Sequence, residues 1–225
     1  MSQETKLLIA CGLVTVAIIV GGVLFYSSKN PAAGGQTTVD ASLLIRDDSY
    51  KSASGSAAVP GSASVSATLV EFGDFECPAC GVAHPIIKKI ISDYSGKLVY
   101  VFRHYPLPQH KSAPIAAEAA EAAGEQGKFF EMQDKLYETQ SDWSEKPNAL
   151  DFFTGYAKDI GLNVEQFKKD VEANKFKEKI NRDVADGDQV GIDATPTFFI
   201  NGQKYSGSLT EDGFKTEIDK VLNNR

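Results

Sequence analysis

The sequence has few cysteines and no surplus of basic residues, and each shortage excludes a class of protein. Only three cysteines occur in 225 residues. A chain of this length can bury a core of good size, so it does not depend on disulfide bonds as small secreted scaffolds do. The net charge of −7 and the pI near 5.0 leave no basic face to neutralise phosphates. A nucleic-acid partner is therefore excluded.

Two of the cysteines follow a pattern that predicts a buried strand leading directly into a helix, over residues 68–80. The apolar run ends at Gly73, and Pro78 is typical of a first helical turn, because that turn has no intrahelical partner for its amide. Cys77 is thereby placed at a helix N-terminus, where unpaired amides and the helix dipole stabilise a thiolate. Cys80 lies about one turn further on the same face, close enough to form a small disulfide ring. We expect Cys77 to be the attacking sulfur of a redox pair.

A cysteine pair at this spacing has two other interpretations, a structural disulfide and one half of a zinc site. A zinc site needs two more ligands at short spacing. The third cysteine, Cys11, lies in an apolar segment far upstream, and His84 offers a third ligand on the same helical face. Since no fourth ligand is evident, the combination of strand, proline and helix favours redox chemistry.

Glu71 is a carboxylate inside the otherwise apolar strand. Alternation along the strand directs it toward the protein interior or the base of the helix. One interpretation is a solvated glutamate at the sheet edge. The other, which we favour, is a proton acceptor for Cys80 whose pKa is raised by desolvation.

A long apolar segment precedes this motif. Residues 7–26 carry no charge and are bounded by Lys6 and Lys29, and their length matches a hydrocarbon core. A cleaved signal peptide is the main alternative, but its apolar region is usually shorter, and residues 27–31 match its cleavage site poorly. We predict an uncleaved single-pass anchor, with residues 1–6 as a short cytoplasmic tail. The cysteine pair then lies on the extracytoplasmic side of the cell membrane, where disulfides persist.

The composition then changes from apolar to small and polar. Residues 27–66 are rich in Ser, Ala, Gly, Pro and Thr, which predicts a flexible linker. Residues 39–50 are the exception, because their apolar run at 43–45 can pack on a folded domain. We predict that domain over residues 67–225.

The pattern after the first helix predicts a second strand and then more helices. Residues 97–102 are typical of a strand that runs parallel to the first through a right-handed crossover. The connection that follows carries His104 and His110, which we interpret as ordinary loop histidines rather than as catalytic acid or base. Residues 112–189 predict a run of helices, and we assign Trp143 and its aromatic neighbours there to the core.

The end of the chain returns to the sheet. Asn201 and Gly202 are a strong hairpin signal between two short strands. Pro196 begins the first of these strands, where a proline is tolerated without any further role. Residues 210–223 predict a closing helix with one apolar face.

Several of these features together resemble the thioredoxin superfamily, and more closely its DsbA-like branch, which includes membrane-anchored bacterial proteins of the BdbD type. The resemblance covers about residues 67–225. The residues that carry it are Glu71, Cys77, Pro78, Ala79, Cys80, Pro85 and the segment 194–202. No one of these is specific, but their combination and spacing are.

The resemblance implies an α/β thioredoxin fold with an inserted helical subdomain at about residues 112–189, preceded here by one transmembrane helix and a flexible linker. It implies that Pro196 is cis and faces the cysteines, and that Thr195 lies beside Cys77 and helps to set its redox properties. A substrate peptide is then expected to add as a strand to Thr195 and Pro196, with Pro78 and Ala79 on the opposite side.

The favoured function is that of a thiol-disulfide oxidoreductase, as an oxidase that donates the Cys77–Cys80 disulfide to reduced exported proteins through a mixed disulfide at Cys77. No cofactor beyond that disulfide and no metal is expected. The resemblance implies a membrane reoxidase of the DsbB or VKOR-like type as partner. The alternatives are a reductase or isomerase of the same fold, and a tethered metallochaperone that holds a thiophilic metal with Cys77, Cys80 and His84.

Overall fold

A five-stranded mixed sheet organises the part of the chain that the structure, a computed structural model, describes: residues 39–52 and 67–223. The strands are β1 (Tyr50–Ser52), β2 (Ala67–Gly73), β3 (Leu98–His104), β4 (Thr197–Ile200) and β5 (Gln203–Lys204). Their order across the sheet is β1-β3-β2-β4-β5. Strands β2 and β3 are parallel, whereas the other neighbouring pairs are antiparallel.

Helices surround this sheet and account for most of the described chain. They are α1 (Ala41–Leu44), α2 (Pro78–Asp93), α3 (Ala113–Glu125), α4 (Phe129–Glu138), α5 (Gln140–Trp143), α6 (Ala149–Asp159), α7 (Val164–Glu172), α8 (Lys177–Gln189) and α9 (Glu211–Asn223). Helix α2 forms the crossover from β2 to β3, and Pro85 lies within it. Helices α3 to α8 fill the interval between β3 and β4, where the sequence predicts a helical insertion.

The second strand is longer than the sequence predicts. We expected it to end at residue 102 and the next residues to form a loop, but β3 continues through Arg103 and His104, which pair in register with Phe72 and Gly73 of β2. Both added residues are buried. Carboxylates make this possible, because Arg103 contacts buried acidic groups of helix α8 and His104 contacts one of helix α3.

The sheet is buried on both faces. Alternate residues of β2 point to opposite sides, so that Leu69 packs with helix α2 and Val70 packs with the segment before β1. On the first side, α2 packs against α4 and α9. Trp143 and Phe153 are fully buried, with ring centroids 5.1 Å apart, which confirms their assignment to the core.

The segment at residues 39–52 belongs to the folded domain, as its apolar run predicts. Leu44 is buried, and the Leu43 carbonyl accepts a hydrogen bond from Arg103 Nη1 at 2.9 Å. The Val39 amide donates to the Gly202 carbonyl at 3.0 Å, and β1 pairs with β3. The predicted linker therefore contains an ordered stretch that completes one edge of the sheet.

The predicted anchor at residues 7–26 and the tail before it lie outside the described residues. Within residues 39–52 and 67–223, no helix is both long enough and apolar enough to cross a bilayer.

Candidate active site

The two cysteines lie where strand β2 passes into helix α2. Cys77 is the N-cap residue of the helix, with φ −72° and ψ 121°, and Pro78 occupies the first turn. Both cysteines are free thiols. Cys77 is 7% exposed and Cys80 is fully buried, while Pro78 and Ala79 between them are exposed. An incoming group can therefore reach Cys77 but not Cys80.

Several donors around Cys77 favour its thiolate. The hydrogen bond with the Cys80 thiol, together with the Thr195 hydroxyl and the amides of Cys80 and Ala79, which can donate to a thiolate, lowers the pKa of Cys77 to about 5, although burial acts in the opposite direction. Cys77 is therefore ionised at neutral pH. A thiolate, unlike a thiol, is a nucleophile and a good leaving group.

The pKa of Cys80 is shifted in the opposite direction, upward. Burial, the hydrogen bond that its thiol gives to Cys77 and the nearby charge of Glu71 raise the pKa of Cys80 well above its usual value. Cys80 accordingly holds a proton in the reduced protein. The pair shares one proton, with the charge on the accessible sulfur.

The loop before β4 faces these sulfurs. The peptide bond between Thr195 and Pro196 is cis, as the resemblance implies. When it is protonated, the Cys77 thiol donates to the Thr195 carbonyl at 3.3 Å. Thr195 Oγ1 is buried and has no hydrogen-bond partner among the described residues. This hydroxyl is thus available to donate to the sulfur once Cys77 is ionised.

Glu71 is buried beneath the cysteines, as alternation along β2 predicts. It is 2% exposed and accepts a hydrogen bond from the Tyr100 hydroxyl at 2.6 Å. Burial raises the pKa of Glu71 to about 7, and the charge of Cys77 adds to this shift, while the Tyr100 hydrogen bond opposes it. A carboxyl group that titrates near neutral pH can both accept and donate a proton there.

His110, interpreted from the sequence as an ordinary loop histidine, lies close to the site in the structure. Its Nδ1 lies 2.6 Å from Asp74 Oδ2, and that carboxylate also accepts the amide of Leu107 at 2.8 Å. Burial acts to lower the pKa of His110, but the carboxylate of Asp74 and the charge of Cys77 raise it overall. A protonated His110 adds positive charge near the reactive sulfur. His104 instead binds Glu121 in the interior at 2.8 Å, which is a structural contact.

A groove of about 580 Å³ adjoins the start of helix α2. The loops after β3 and after α5 form its walls, and Pro78, His110, Ser112 and Lys146 are among its lining residues. The buried Glu76 carboxylate joins the two loops, because it accepts the amides of Ser112 at 2.6 Å and Glu145 at 2.7 Å. Buried hydrogen bonds therefore hold the two walls of this groove together next to the cysteines.

His84 does not join the cysteines as a metal ligand. Its Nε2 lies 2.8 Å from Asp134 Oδ1 on helix α4. Throughout residues 39–52 and 67–223, no three or more side chains of His, Cys, Asp or Glu are grouped so that they could hold a metal ion.

A thioredoxin-type sheet with two cysteines at the N-terminus of the crossover helix, opposite a cis-proline loop, defines the class of thiol-disulfide oxidoreductases. A family model described as thioredoxin matches residues 54–220. The chain belongs to the thioredoxin family.

Solved structures narrow the likeness to the DsbA and BdbD type. Oxidised BdbD from Bacillus subtilis is 26% identical with a TM-score of 0.64, over 72% of this chain and 91% of that one. For alpha-DsbA1 from Wolbachia pipientis, the identity is 24% and the TM-score 0.67, over 81% and 94% of the two chains. The latter shows the fold alone. The predicted enzyme class, a protein disulfide oxidoreductase, is confirmed, whereas membrane anchoring stays a prediction.

Curated relatives share the domain within much longer proteins. The Na(+)/H(+) antiporter NhaA 1 of Salinispora arenicola is 40% identical over 156 residues, which are 69% of this chain and 23% of the antiporter. NhaA 1 of Mycobacterium sp. strain KMS is 41% identical over 144 residues, or 62% and 22%. The chain thus spans less than a quarter of these relatives.

Proposed function

We propose that the protein is an oxidase that transfers the Cys77–Cys80 disulfide to reduced exported proteins. The observation that carries this proposal is the position of Cys77 at the N-cap of α2, where the Cys80 thiol and two amides lower its pKa to about 5, beside a buried Cys80 whose pKa is raised. A stabilised thiolate favours the reduced enzyme over the oxidised one. The oxidised enzyme is then a strong oxidant of other thiols.

The exchange takes place in two steps. A substrate thiolate attacks Cys77 Sγ, the Cys77–Cys80 bond breaks, and its electron pair passes to Cys80, which takes a proton. A second substrate thiolate then attacks the substrate sulfur of the mixed disulfide. This step releases Cys77 as its stabilised thiolate, oxidises the substrate by two electrons and leaves the enzyme as the dithiol.

Substrate peptides are held, in this proposal, between the cis-proline loop and the start of helix α2. Pro78 and Ala79 are exposed beside the reactive sulfur. Pro196 has no backbone N–H, which leaves neighbouring backbone groups open to pair with a substrate peptide. An extended peptide can add to the segment Thr195 and Pro196 as a strand, with its flanking residues in the adjacent groove.

We place the domain outside the cytoplasmic membrane, tethered by residues 7–26, with a membrane reoxidase of the DsbB or VKOR-like type as redox partner. The support is the charge-free segment in the sequence and the 26% identity with BdbD. A domain that makes disulfides is useful where disulfides persist.

The test is the redox equilibrium of the full chain against glutathione buffers, read by alkylation of the free thiols. A potential near that of DsbA, about −120 mV, supports the oxidase. A potential near that of thioredoxin, about −270 mV, would make the protein a reductase that needs an external electron donor.

A further inference from the structure

The buried carboxylate of Glu71 needs a path to water if it exchanges protons with Cys80. This inference rests on the proposed exchange cycle, in which Cys80 gains a proton on reduction and loses it on reoxidation. Both groups are buried, since Glu71 is 2% exposed and Cys80 is fully buried. A proton therefore has to cross the protein in every half-cycle.

Tyr100 connects Glu71 to the far side of the active-site helix. Its hydroxyl donates to Glu71 Oε2 at 2.6 Å and accepts from Gln133 Nε2 at 3.4 Å. Tyr100 comes from β3 and Gln133 from helix α4, so two separate elements fix the position of this hydroxyl. A hydroxyl oxygen has two lone pairs, and since Gln133 uses only one of them, the other can accept a hydrogen bond from water.

A cavity of about 170 Å³ between α2 and α4 reaches Tyr100 and Gln133 from the surface. Lys88 and Asp134, at its mouth, are partly exposed, with side-chain exposures of 45% and 34%. One water takes about 30 Å³ of liquid volume, so the cavity accommodates several. Its lining is more apolar than polar, but Lys88, Gln133 and Asp134 offer those waters hydrogen-bond partners. The two side chains that meet at this hydroxyl, Tyr100 and Gln133, thus both line a cavity that can hold water.

We propose that Tyr100 relays protons between Glu71 and water in this cavity, with Gln133 as a positioning residue for its hydroxyl. On reduction, Cys80 leaves as a thiolate and takes the proton of the Glu71 carboxyl group. The Glu71 carboxylate takes the Tyr100 proton while the Tyr100 oxygen takes one from cavity water. On reoxidation, each transfer runs in reverse.

The two transfers at Tyr100 are concerted. Burial and the neighbouring Glu71 raise the pKa of Tyr100 well above its usual value, so a tyrosinate does not accumulate. The relay therefore releases one proton only as it accepts another. The other titratable or charged side chains around this path are Cys77, His84, Lys88, Asp134 and Tyr137.

The experiment measures the rate at which dithiothreitol reduces the Cys77–Cys80 disulfide of the full chain, as a function of pH and of imidazole concentration at constant ionic strength. Tyr100→Phe keeps the ring and removes the relay. We expect its maximum rate over the pH range to fall at least about tenfold. We also expect imidazole, which can enter the cavity and carry protons, to restore part of the rate.

The control is Tyr137→Phe. Tyr137 is also buried, but its hydroxyl donates to the Asp74 carbonyl at 3.5 Å rather than to Glu71. We expect no dependence on imidazole in this variant or in the wild type. A merely structural role of Tyr100 would shift the pH profile through the pKa of Glu71, but it would leave the maximum rate unchanged and insensitive to imidazole.

Gln133→Leu provides a second test, independent of whether Tyr100→Phe folds. It retains the hydroxyl and removes its donor, and we expect a rate loss of about threefold that imidazole again reverses. The relay is overturned if the variants that fold reach the wild-type maximum rate without imidazole. If the wild-type disulfide itself does not form reversibly in glutathione buffer, the proposed function fails instead.

Discussion

Replacing Cys77 by serine tests the claim that the fold stabilises its thiolate. The pKa of Cys77 is lowered to about 5, whereas an unfolded cysteine titrates near 9.0. Between these values the unfolded chain binds a proton that the folded protein does not, so the free energy of unfolding rises with pH. Each pH unit above the folded pKa contributes about 1.4 kcal/mol. At about pH 7 the contribution is therefore about 2.7 kcal/mol, and at about pH 4 it is close to zero.

The assay is urea unfolding of the reduced wild type and of Cys77→Ser at both pH values. Because other titrating groups are common to the two proteins, the change in their stability difference isolates Cys77. The wild type should gain about 2.7 kcal/mol over the variant between about pH 4 and about pH 7. Since Glu71 responds to the charge on Cys77, the measurement is repeated in a Glu71→Gln background.

A pH-independent stability difference would refute the reasoning. So would a thiolate titration, followed by ultraviolet absorbance, with its midpoint near 9. Either result would mean that the amides at the start of helix α2 and the Thr195 loop do not act on the sulfur as the geometry indicates, and the proposed oxidase would lose its main support.

Three further predictions concern the surroundings of the site. Thr195→Val removes a buried hydroxyl that has no partner while Cys77 is a thiol, so the stability of the reduced protein should not fall at about pH 4. The pKa of Cys77 should rise by about half to one unit, and the redox potential should drop by about 15–30 mV in glutathione buffers. His110→Gln removes a positive charge and should raise the pKa of Cys77 by up to about one unit; a thiolate titration should show this effect shrinking as salt is added. Arg103→Leu leaves the buried Asp183 without a cation and Asp186 with Arg46 alone, and it should cost about 3–5 kcal/mol in urea unfolding. The control Arg182→Ala breaks an exposed pair with Asp48 and should cost less than about 1 kcal/mol; equal losses in the two variants would contradict the structural role of Arg103.

Local patterns were sufficient to predict the strand and helix that hold the cysteines. The glycine that ends the apolar run and the proline of the first helical turn place Cys77 at the N-cap, and the structure has it there. The burial of Glu71 follows in the same way, because it shares a face of β2 with Leu69, which packs in the core. The start of a helix and the buried face of a strand depend on residues a few positions away, so they can be predicted from the sequence.

Contacts between distant parts of the chain were not predictable in this way. Arg103 binds Asp183, which is 80 residues away, and the ring of His110 binds Asp74 across 36 residues. A polar residue near the end of a strand is typical of a loop, and only a carboxylate supplied by the packed insertion makes its burial favourable. This is why β3 was predicted too short. The contact of His110 was missed for a different reason, because its partner Asp74 lies directly after β2, 36 residues earlier.

The contrast between local patterns and distant contacts also applies to the redox potential of the cysteine pair. The residues between the cysteines, Pro78 and Ala79, carry no charged or polar side chain, so their side chains add no charge or hydrogen bond to the Cys77 thiolate. Two groups beyond the helix that favour the thiolate are Thr195, from the loop before β4, and His110, from the loop after β3. Both loops depend on the sheet and the helical insertion for their position. A change in either loop can therefore move the potential of the pair while the cysteine motif stays the same, and this makes the potential a property of the whole fold.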